Sequence, residues 1–278
     1  MSASDPKTQW RLLRHPPANG GWNMAVDEAI LERARKGAAP PTLRLYDWQP
    51  ACLSLGFAQS LADVDEGSLK KHGWDLVRRP TGGRALLHTD ELTYSVIGPT
   101  SEPRLAGSIL ESYQRLSQAL VHSLELLGLP VRQQSRLLGS GNGQANNPVC
   151  FEVPSDYEIT LGDKKLVGSA QARRKGGLLQ HGSLPLHGDI ARITQVLRYP
   201  SEAERQASAD RVRARAATVE EGLGRRVVWD EAAGAFVQGF SEALNIEWVD
   251  GELSAEEEQA AERWVLERYA HEQWTERV

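Results

Sequence analysis

The chain has 278 residues, of which 40% are apolar and 25% are charged, and this is the composition of an ordinary globular protein. Its 32 basic and 37 acidic residues leave a net charge of −5, so the chain as a whole offers no positive field to nucleic acid. No run approaches the roughly 18 apolar residues of a transmembrane helix, and two cysteines cannot build a disulfide framework, so we expect a cytoplasmic protein without a membrane span.

The first half of the chain is predicted to mix strands and helices. Runs of apolar and β-branched residues predict strands, and apolar residues spaced three to four apart predict helices. The predicted strands are 9–13, 42–46, 51–57 and 91–97. The predicted helices are 23–36 and 108–127, each followed by a glycine and a proline that end it. Cys52 lies among leucines in the third strand, so we predict a core residue without chemistry.

Between residues 74 and 88 a predicted strand runs into a turn at Gly82 and Gly83. Adjacent glycines let a backbone approach a ligand closely. The side chains that could surround such a ligand are Arg78, Arg79, Arg84 and His88. From the residues alone, a ligand-binding turn and a plain hairpin with solvated arginines are equally well supported.

A loop cysteine and a strand lysine form the main candidate pair. Residues 138–148 are rich in Gly, Asn and Ser, so a loop is predicted to lead into Cys150. Downstream, strands 157–161 and 164–171 are predicted to form a hairpin around a Gly-Asp turn. Lys165 lies near the start of the returning strand, on the same face as Ser169.

This pair has a chemical use and an ordinary explanation. The thiolate is the nucleophile, and a nearby ammonium that lowers a thiol pKa of about 8.5 by about 1.5 units makes around half of it thiolate at neutral pH. Against this, most free cysteines are small buried residues and most lysines beside turns are solvated. On these residues alone, the ordinary explanation is favoured.

The second half is predicted to end in helices. A basic turn at 173–175, normally a solvated feature, precedes a strand at 178–186 that carries His181. The predicted helical segments are one after Asp189, 201–216, 230–244 and a final helix that starts with the capping box Ser254 to Glu257. The seven histidines have no spacing that indicates a metal site, so no metal is expected.

One domain is the simplest organisation of these elements. We predict an α+β fold over 1–278, with a mixed sheet flanked by helices, a core over about residues 30–250, and a C-terminal helix over 254–272 packed on it.

Two motifs resemble those of the biotin and lipoate protein ligase superfamily. They are Arg-Arg-x-Ser/Thr-Gly-Gly at 78–83 and Lys-x-x-Gly-Ser-Ala at 165–170. Segments 23–29, 54–59 and 269–274 are also similar, so the resemblance spans nearly the whole chain. Either motif alone is weak evidence, whereas their order together is specific. The resemblance implies that superfamily's catalytic-domain fold, with a largely antiparallel sheet.

Within that superfamily the chain resembles the cysteine-dependent octanoyltransferases. ATP-using lipoate ligases typically carry a third glycine and a His-Asp pair, where this chain has Arg84 and His88-Thr89. The chain also ends without the extra C-terminal domain of many such ligases, and Cys150-Phe-Glu-Val-Pro-Ser precedes the lysine motif. The resemblance therefore implies that Cys150 is a nucleophile that carries the acyl group as a thioester and that Lys165 lowers its pKa.

The resemblance also implies a reaction, partners and a pocket. Octanoate would move from octanoyl-acyl carrier protein to a lysine of a lipoyl domain, with the glycine cleavage H protein as the expected acceptor and without ATP or any other cofactor. The residues implied to border the acyl group are Arg79, Gly82, Gly83, His88, Gly168, Ser169 and Ala170, with His181 as a further candidate. Because acyl carrier proteins are acidic, we predict that Arg173, Arg174 and Lys175 provide a local docking surface.

Three other functions remain open at this point. An amidotransferase of the same superfamily would take octanoate from one lipoyl domain and give it to another. An ATP-dependent lipoate ligase would form its adduct without Cys150. A non-catalytic scaffold would bind lipoyl domains and form no acyl species.

Overall fold

The computed structural model describes residues 6–135 and 157–278. The strands are β1 (Thr8–Arg14), β2 (Thr42–Tyr46), β3 (Cys52–Leu55), β4 (Asp75–Arg78), β5 (Leu86–His88), β6 (Glu91–Pro99), β7 (Val131–Ser135), β8 (Tyr157–Leu161), β9 (Lys164–Arg174), β10 (Gly177–Pro185) and β11 (Ile246–Asp250). The helices are α1 (Gly20–Ala34), α2 (Glu66–His72), α3 (Ile109–Leu126), α4 (Glu202–Arg215), α5 (Val219–Leu223), α6 (Trp229–Leu244), α7 (Ala255–Trp264) and α8 (Glu272–Thr275).

Two sheets organise these elements. The larger one has the strand order β11-β1-β2-β6-β10-β9-β8-β7, and the smaller one has the order β4-β3-β5. In the larger sheet β1 runs parallel to β11 and β2, and the pairings from β2 onward are antiparallel. The prediction of an α+β fold with a mixed, largely antiparallel sheet flanked by helices is confirmed.

The larger sheet carries an apolar layer on each face. Alternate residues of a strand point to opposite faces, and accordingly Leu12 and Val96 pack with α3 and α6 while Leu13 and Ile97 pack with α1 and α7. The smaller sheet has a separate hydrophobic cluster, in which Leu53 packs with residues of α2 and α4.

The β8–β9 hairpin forms where the Gly-Asp turn predicts it. Leu161 pairs with Lys164 across the turn, and Gly162 has a φ of 57°, in the left-handed region that glycine adopts without strain. A register shift between Ile159 and Thr160 bends the pairing next to Lys165. The Gly-Asp turn, which is a local property of the sequence, therefore places Lys165 near the start of β9.

Helix α1 differs from its prediction in one respect. The apolar spacing predicts a single buried stripe, but the polar residues Asn23, Asp27 and Glu28 are buried as well. The cause is that α1 lies between the sheet on one side and α7 on the other. A helix covered on two sides has few positions open to solvent, so most of its polar side chains need partners inside the protein.

The C-terminal segment returns to the predicted glycine turn. Helix α7 starts at the predicted capping box, with Glu257 N donating to Ser254 Oγ, and continues into a π-helical turn, Val265–Tyr269. The Arg78 Nε group donates to the Thr275 carbonyl at 3.0 Å, and Trp274 Nε1 donates to the Arg78 carbonyl at 2.9 Å. Arg78 thus serves as a tie between β4 and α8 rather than as a pocket residue.

Among residues 6–135 and 157–278, none of the helices has the length and apolar character needed to cross a membrane.

The packing of α6 on α3 leads to a stability prediction. A Cβ at Gly239 would lie 2.6 Å from the backbone Cα and N of Ser123, so Gly239→Ala forces the two helices apart. We expect a loss of about 1–3 kcal/mol in the free energy of unfolding. In the part of the chain that the structure describes, no atom lies within 4 Å of the position that a Cβ of Gly234 would occupy on the same helix, so Gly234→Ala should stabilise by about 0.5–1 kcal/mol. Urea unfolding of both variants tests this prediction. A change of the same sign in both free energies of unfolding would contradict the packing argument.

Candidate functional site

A pocket lies where the two sheets meet. It has a cavity volume of about 50 Å³. Its apolar walls include Met24, Trp48 and Leu86. The predicted site residues that line it are Arg79, Gly83, His88, Gly168, Ser169, Ala170 and His181. The tertiary structure therefore collects residues from the glycine turn, β5, β9 and β10 around one space.

One wall contains a chain of hydrogen bonds from a hydroxyl to a carboxylate. His88 Nε2 lies 2.8 Å from Ser54 Oγ, and His88 Nδ1 lies 2.8 Å from Glu91 Oε1. Ser183 Oγ donates to the other oxygen of Glu91 at 2.6 Å, and the ring of His88 stacks on Trp48. The partners on its two ring nitrogens and the stacking on Trp48 fix the orientation of the His88 imidazole.

A second chain of the same kind faces it. Thr81 Oγ1 lies 2.6 Å from His181 Nε2, and His181 Nδ1 lies 3.4 Å from Asp27 Oδ2. Burial lowers the pKa of His181 against the opposing influence of Asp27, which keeps the imidazole neutral at neutral pH. Both ring nitrogens of His181 are therefore engaged by protein groups, which fixes the orientation of the imidazole at the pocket wall.

Asp27 is the centre of the buried polar network under the pocket. Its Oδ1 accepts from Arg44 Nη1 at 2.8 Å, and its Oδ2 accepts from Ser95 Oγ at 2.7 Å and Tyr46 Oη at 3.2 Å. Burial by itself would raise the pKa of Asp27, but the Arg44 guanidinium and the hydrogen bonds hold that pKa below its ordinary value. The carboxylate therefore stays ionised inside the protein.

Arg44 is held by partners beyond Asp27. Its Nη2 donates to Asn23 Oδ1 at 2.7 Å, and its Nε donates to His15 Nδ1 at 2.9 Å. Burial, together with the positive charge of Arg44, lowers the pKa of His15 to about 4. The imidazole of His15 is consequently a neutral acceptor, which a protonated ring could not be.

Arg79 fixes the glycine turn. Its Nη2 donates to the Gly82 carbonyl at 3.0 Å and to the Arg84 carbonyl at 2.7 Å, and its Nη1 donates to Ser54 Oγ at 3.1 Å. Gly83 has a φ of 96°. A Cβ at Gly56 would overlap the Gly83 carbonyl oxygen and lie 2.8 Å from the Gly83 carbonyl carbon, so the two loops are in backbone contact and Gly56 is required there.

On β9 the predicted lysine and the residues that follow it have different surroundings. Lys165 is buried, with its Nζ 3.5 Å from Glu158 Oε1. Ser169 Oγ lies 2.7 Å from the Tyr94 hydroxyl, and burial raises the pKa of Tyr94 to about 12, so the phenol is protonated. Lys165 does not line the pocket, whereas Gly168, Ser169 and Ala170 do.

The basic turn is only partly available for docking. The Arg173 guanidinium donates to the carbonyls of Leu105, Gly107 and Ser108 and thereby holds the start of α3. Arg174 donates to Glu28 Oε1 at 3.2 Å and to the Pro80 carbonyl at 3.0 Å, next to the glycine turn. Lys175 is exposed. A docking role for the three residues stays a prediction.

The two cysteines differ in what the structure says about them. Cys150 lies outside the described residues. Cys52 is fully buried, and burial raises the pKa of its thiol well above the ordinary value, so it is the unreactive core residue that the sequence predicts.

Sequence reasoning missed the polar partners that orient the pocket. Asp27, Arg44, Ser54 and Glu91 have no role in the predicted site, yet each is buried and bonded to a pocket residue or to its partner. Segment 23–29 is indicated only through the family resemblance. In the sequence, a carboxylate on a helix looks solvated, and only the packing of α1 between two layers reveals that Asp27 is not.

Among the residues that the structure describes, none of the clusters of histidine, cysteine and carboxylate side chains could hold a metal ion. The polar groups of the pocket are instead bonded to one another.

Comparisons with known proteins identify relatives over nearly the whole length. Residues 19–241 match the family model of the lipoyl protein ligase A/B catalytic domain. The chain is 44% identical over 275 residues to the octanoyltransferase LipM of Moorella thermoacetica, and the alignment covers 98% of this chain and 99% of the relative. It is 39% identical over 270 residues to the octanoyltransferase LipM of Brevibacillus brevis, with 96% and 98% covered.

Solved structures show the same similarity. A bipartite lipoate protein ligase from Thermoplasma acidophilum superposes with a TM-score of 0.79 at 30% identity, covering 98% of this chain and 97% of that one. A lipoate-protein ligase A bound with ATP superposes with a TM-score of 0.77 at 29% identity, covering 97% and 98%.

The buried ion pair leads to a second stability prediction. Asp27→Ala leaves the Arg44 guanidinium buried without its carboxylate, so we expect a loss of about 3–5 kcal/mol in the free energy of unfolding. Glu32 lies on the same helix and pairs with Lys36 and Arg263 at the surface, so Glu32→Ala should cost about 1 kcal/mol or less. Urea unfolding measures both, and equal losses would refute the central role of the Asp27 pair.

The lowered pKa of His15 predicts a pH dependence of stability. Its folded pKa of about 4 lies below the ordinary value of 6.5, so the folded state binds fewer protons and is destabilised as the pH falls through that interval. Because His15 is partly exposed, we expect its contribution to lower the free energy of unfolding by about 1–2 kcal/mol between about pH 7 and pH 5. The His15→Asn variant keeps a hydrogen-bond acceptor that cannot be protonated. The free energy of unfolding of this variant should therefore fall less over that pH interval than that of the wild type. Identical pH profiles for the two proteins would rule this out.

Proposed function

Because the chain belongs to the lipoyl protein ligase A/B catalytic domain family, we propose that it transfers octanoate from octanoyl-acyl carrier protein to a lysine of a lipoyl domain through a thioester on Cys150. The chain is an octanoyltransferase, as the identity of 44% over nearly the full length of such an enzyme indicates. The resemblance inferred from the motifs is thereby confirmed. The donor, the acceptor and the cysteine intermediate are our proposal.

The observation that carries the proposal is the pocket at the junction of the sheets. An octanoyl chain is apolar, and the pocket offers Met24, Trp48 and Leu86 as walls with the polar groups already bonded to one another. Small-molecule sites typically combine such walls with a few oriented polar groups. The Gly168–Ala170 segment borders the same space, so the reacting carbonyl would lie next to β9.

Two acyl transfers complete the proposed reaction. The Cys150 thiolate attacks the carbonyl carbon of the donor thioester, a new carbon–sulfur bond forms, and the thiol of the carrier leaves. The lysine amine of the acceptor then attacks the acyl-cysteine, an amide forms, and the Cys150 thiolate leaves while the amine proton is taken up by a base. Since a thioester is already activated, neither step requires a nucleotide.

Lys165 is proposed to stabilise the thiolate. It is buried beside Glu158, and a charge in a sheltered site is screened less than one in water. Strand β8 pairs with β9 as far as Val167, and the stretch of β9 that follows is where we propose that backbone amides stabilise the oxyanion of each tetrahedral intermediate.

The acceptor is proposed from the chemistry of the relatives. The Thermoplasma ligase is described with its E2 lipoyl domain, which supports a lipoyl domain as acceptor for this chain as well. We name the glycine cleavage H protein as the first acceptor to test.

An amidotransferase is the second candidate function, because it would use the same fold and the same intermediate. It differs only in taking octanoate from an octanoylated lipoyl domain. Octanoyl-acyl carrier protein and octanoylated H protein can be offered as donors in separate reactions, each with an unmodified lipoyl domain as acceptor. The donor that acylates Cys150 distinguishes the octanoyltransferase from the amidotransferase. A ligase would instead require ATP.

The cysteine intermediate is tested by intact-protein mass spectrometry after mixing the chain with octanoyl-acyl carrier protein without nucleotide. We expect one octanoyl group on the wild-type chain and on Cys52→Ala, and none on Cys150→Ala. Lys165→Met should slow acylation about tenfold or more at neutral pH and shift its pH profile upward, because the thiol loses its cation. An adduct on Cys150→Ala, or an adduct that requires ATP, would overturn the proposal.

A further inference from the structure

A second pocket opens to solvent beside the first one. It has an empty volume of about 800 Å³, much of it continuous with the solvent. Its lining residues are Phe57, Ala58, Gln59, Pro80, Thr81, Gly82, Gly83, Arg84, Ala172 and Arg174. The glycine turn thus forms one side of this pocket, and Gly82, which the family resemblance assigns to the acyl site, lies here instead.

The two pockets are separated by the glycine turn alone. Gly83 lines both of them. Thr81 lines the second pocket, and its hydroxyl is hydrogen-bonded to His181 of the first pocket. The Arg79 guanidinium donates to the carbonyls of Gly82 and Arg84 and thereby holds the turn. A ligand whose acyl chain occupies the first pocket would therefore reach the second pocket beside Gly83, which borders both.

The second pocket has basic side chains in its lining although the chain is acidic. Among the described residues its lining contains two arginines, Arg84 and Arg174, and no carboxylate. Arg277 lies over the Phe57 ring at 4.0 Å, and burial, together with the charge of Arg277, lowers the pKa of Arg78 beneath the loop. The nearby Glu28 is shared between Arg174 and Arg268.

We propose that this second pocket binds the phosphate of the donor's thioester-bearing arm. An acyl carrier protein presents its acyl thioester on a phosphopantetheine arm, which is a long polar chain with one phosphodiester. The inference rests on the proposed function for the identity of the donor. With the octanoyl chain in the first pocket, the arm leaves across Gly83 and its phosphate meets Arg84 and Arg174.

The chemistry of the lining suits this ligand. A guanidinium matches the geometry of a phosphate and forms charge-assisted hydrogen bonds with it. Arg174 is already fixed by Glu28 and the Pro80 carbonyl, so little side-chain entropy is lost when an anion binds. Among the described residues, no atom lies within 4 Å of the position that a Cβ of Gly82 would occupy.

This site differs from the docking surface predicted from the sequence. Arg174 belongs to both, but Arg173 is used to hold the α3 start and Lys175 does not line the pocket. Arg84 lies elsewhere in the sequence and joins Arg174 only in the folded protein. Lys175 is therefore a matched control, since it carries the same charge in the same turn outside the pocket.

The test compares two thioethers that cannot be transferred, S-octyl-4′-phosphopantetheine and S-octylpantetheine, which differ only in the phosphate. We expect the full-length wild-type chain to bind the phosphorylated compound about tenfold more tightly in calorimetry, the factor that one charge-assisted contact supplies. Arg84→Gln and Arg174→Gln should each remove most of that ratio. Lys175→Gln should preserve it, and the affinity for S-octylpantetheine should stay the same in all four proteins.

Three results would overturn the proposal: equal binding of both compounds by the wild type, an equal loss of both in the arginine variants, or the same loss of the ratio in Lys175→Gln. Because the thioethers undergo no reaction, the ratio is independent of catalysis. A chain that shows the ratio but acquires no octanoyl group from the carrier would support the phosphate site and refute the proposed function.

Discussion

The buried pair of Asp27 and Arg44 is the interaction on which the site depends. It joins α1 to β2, and through Ser95 and His181 it reaches β6 and β10. Two charges inside a protein are stable only when their remaining hydrogen-bonding groups are satisfied, and here Asn23, His15 and Tyr46 do this. Since His181 in turn holds Thr81, the position of the glycine turn over the pocket depends on a charge pair in the core.

The glycine turn lies between a pocket with apolar walls and a second pocket whose lining includes Arg84 and Arg174. Arg79 holds the turn from the pocket side, while Arg78 ties the preceding strand to α8. Both arginines act mainly through backbone carbonyls, so their charge serves structure, and the arginines that line the second pocket are Arg84 and Arg174. An acyl chain and a charged arm place opposite demands on a protein surface, and in the proposed complex each would occupy its own pocket.

Local sequence preferences accounted for much of the secondary structure, and tertiary burial accounts for the errors. Strand β2 and the β8–β9 hairpin have the predicted bounds at the turn, because apolar alternation and a Gly-Asp pair are local properties. Helix α2 and the strands β7 and β11 were not predicted. Both strands lie at the edges of the large sheet and are short and partly polar, so their pairing is decided by a neighbour distant in sequence.

By itself the sequence determined the fold class, the family, the core position of Cys52 and the glycine and lysine motifs, because each of these is legible in residue order, spacing or resemblance. Only the tertiary structure decided that His88 and His181 are each paired with a carboxylate, that Gly82 lines the second pocket whereas Gly83 lines both, and that Arg173 holds α3. These are contacts between residues far apart in the chain. Residue order records a side chain's chemistry, but its partners and its exposure are set by which elements pack together.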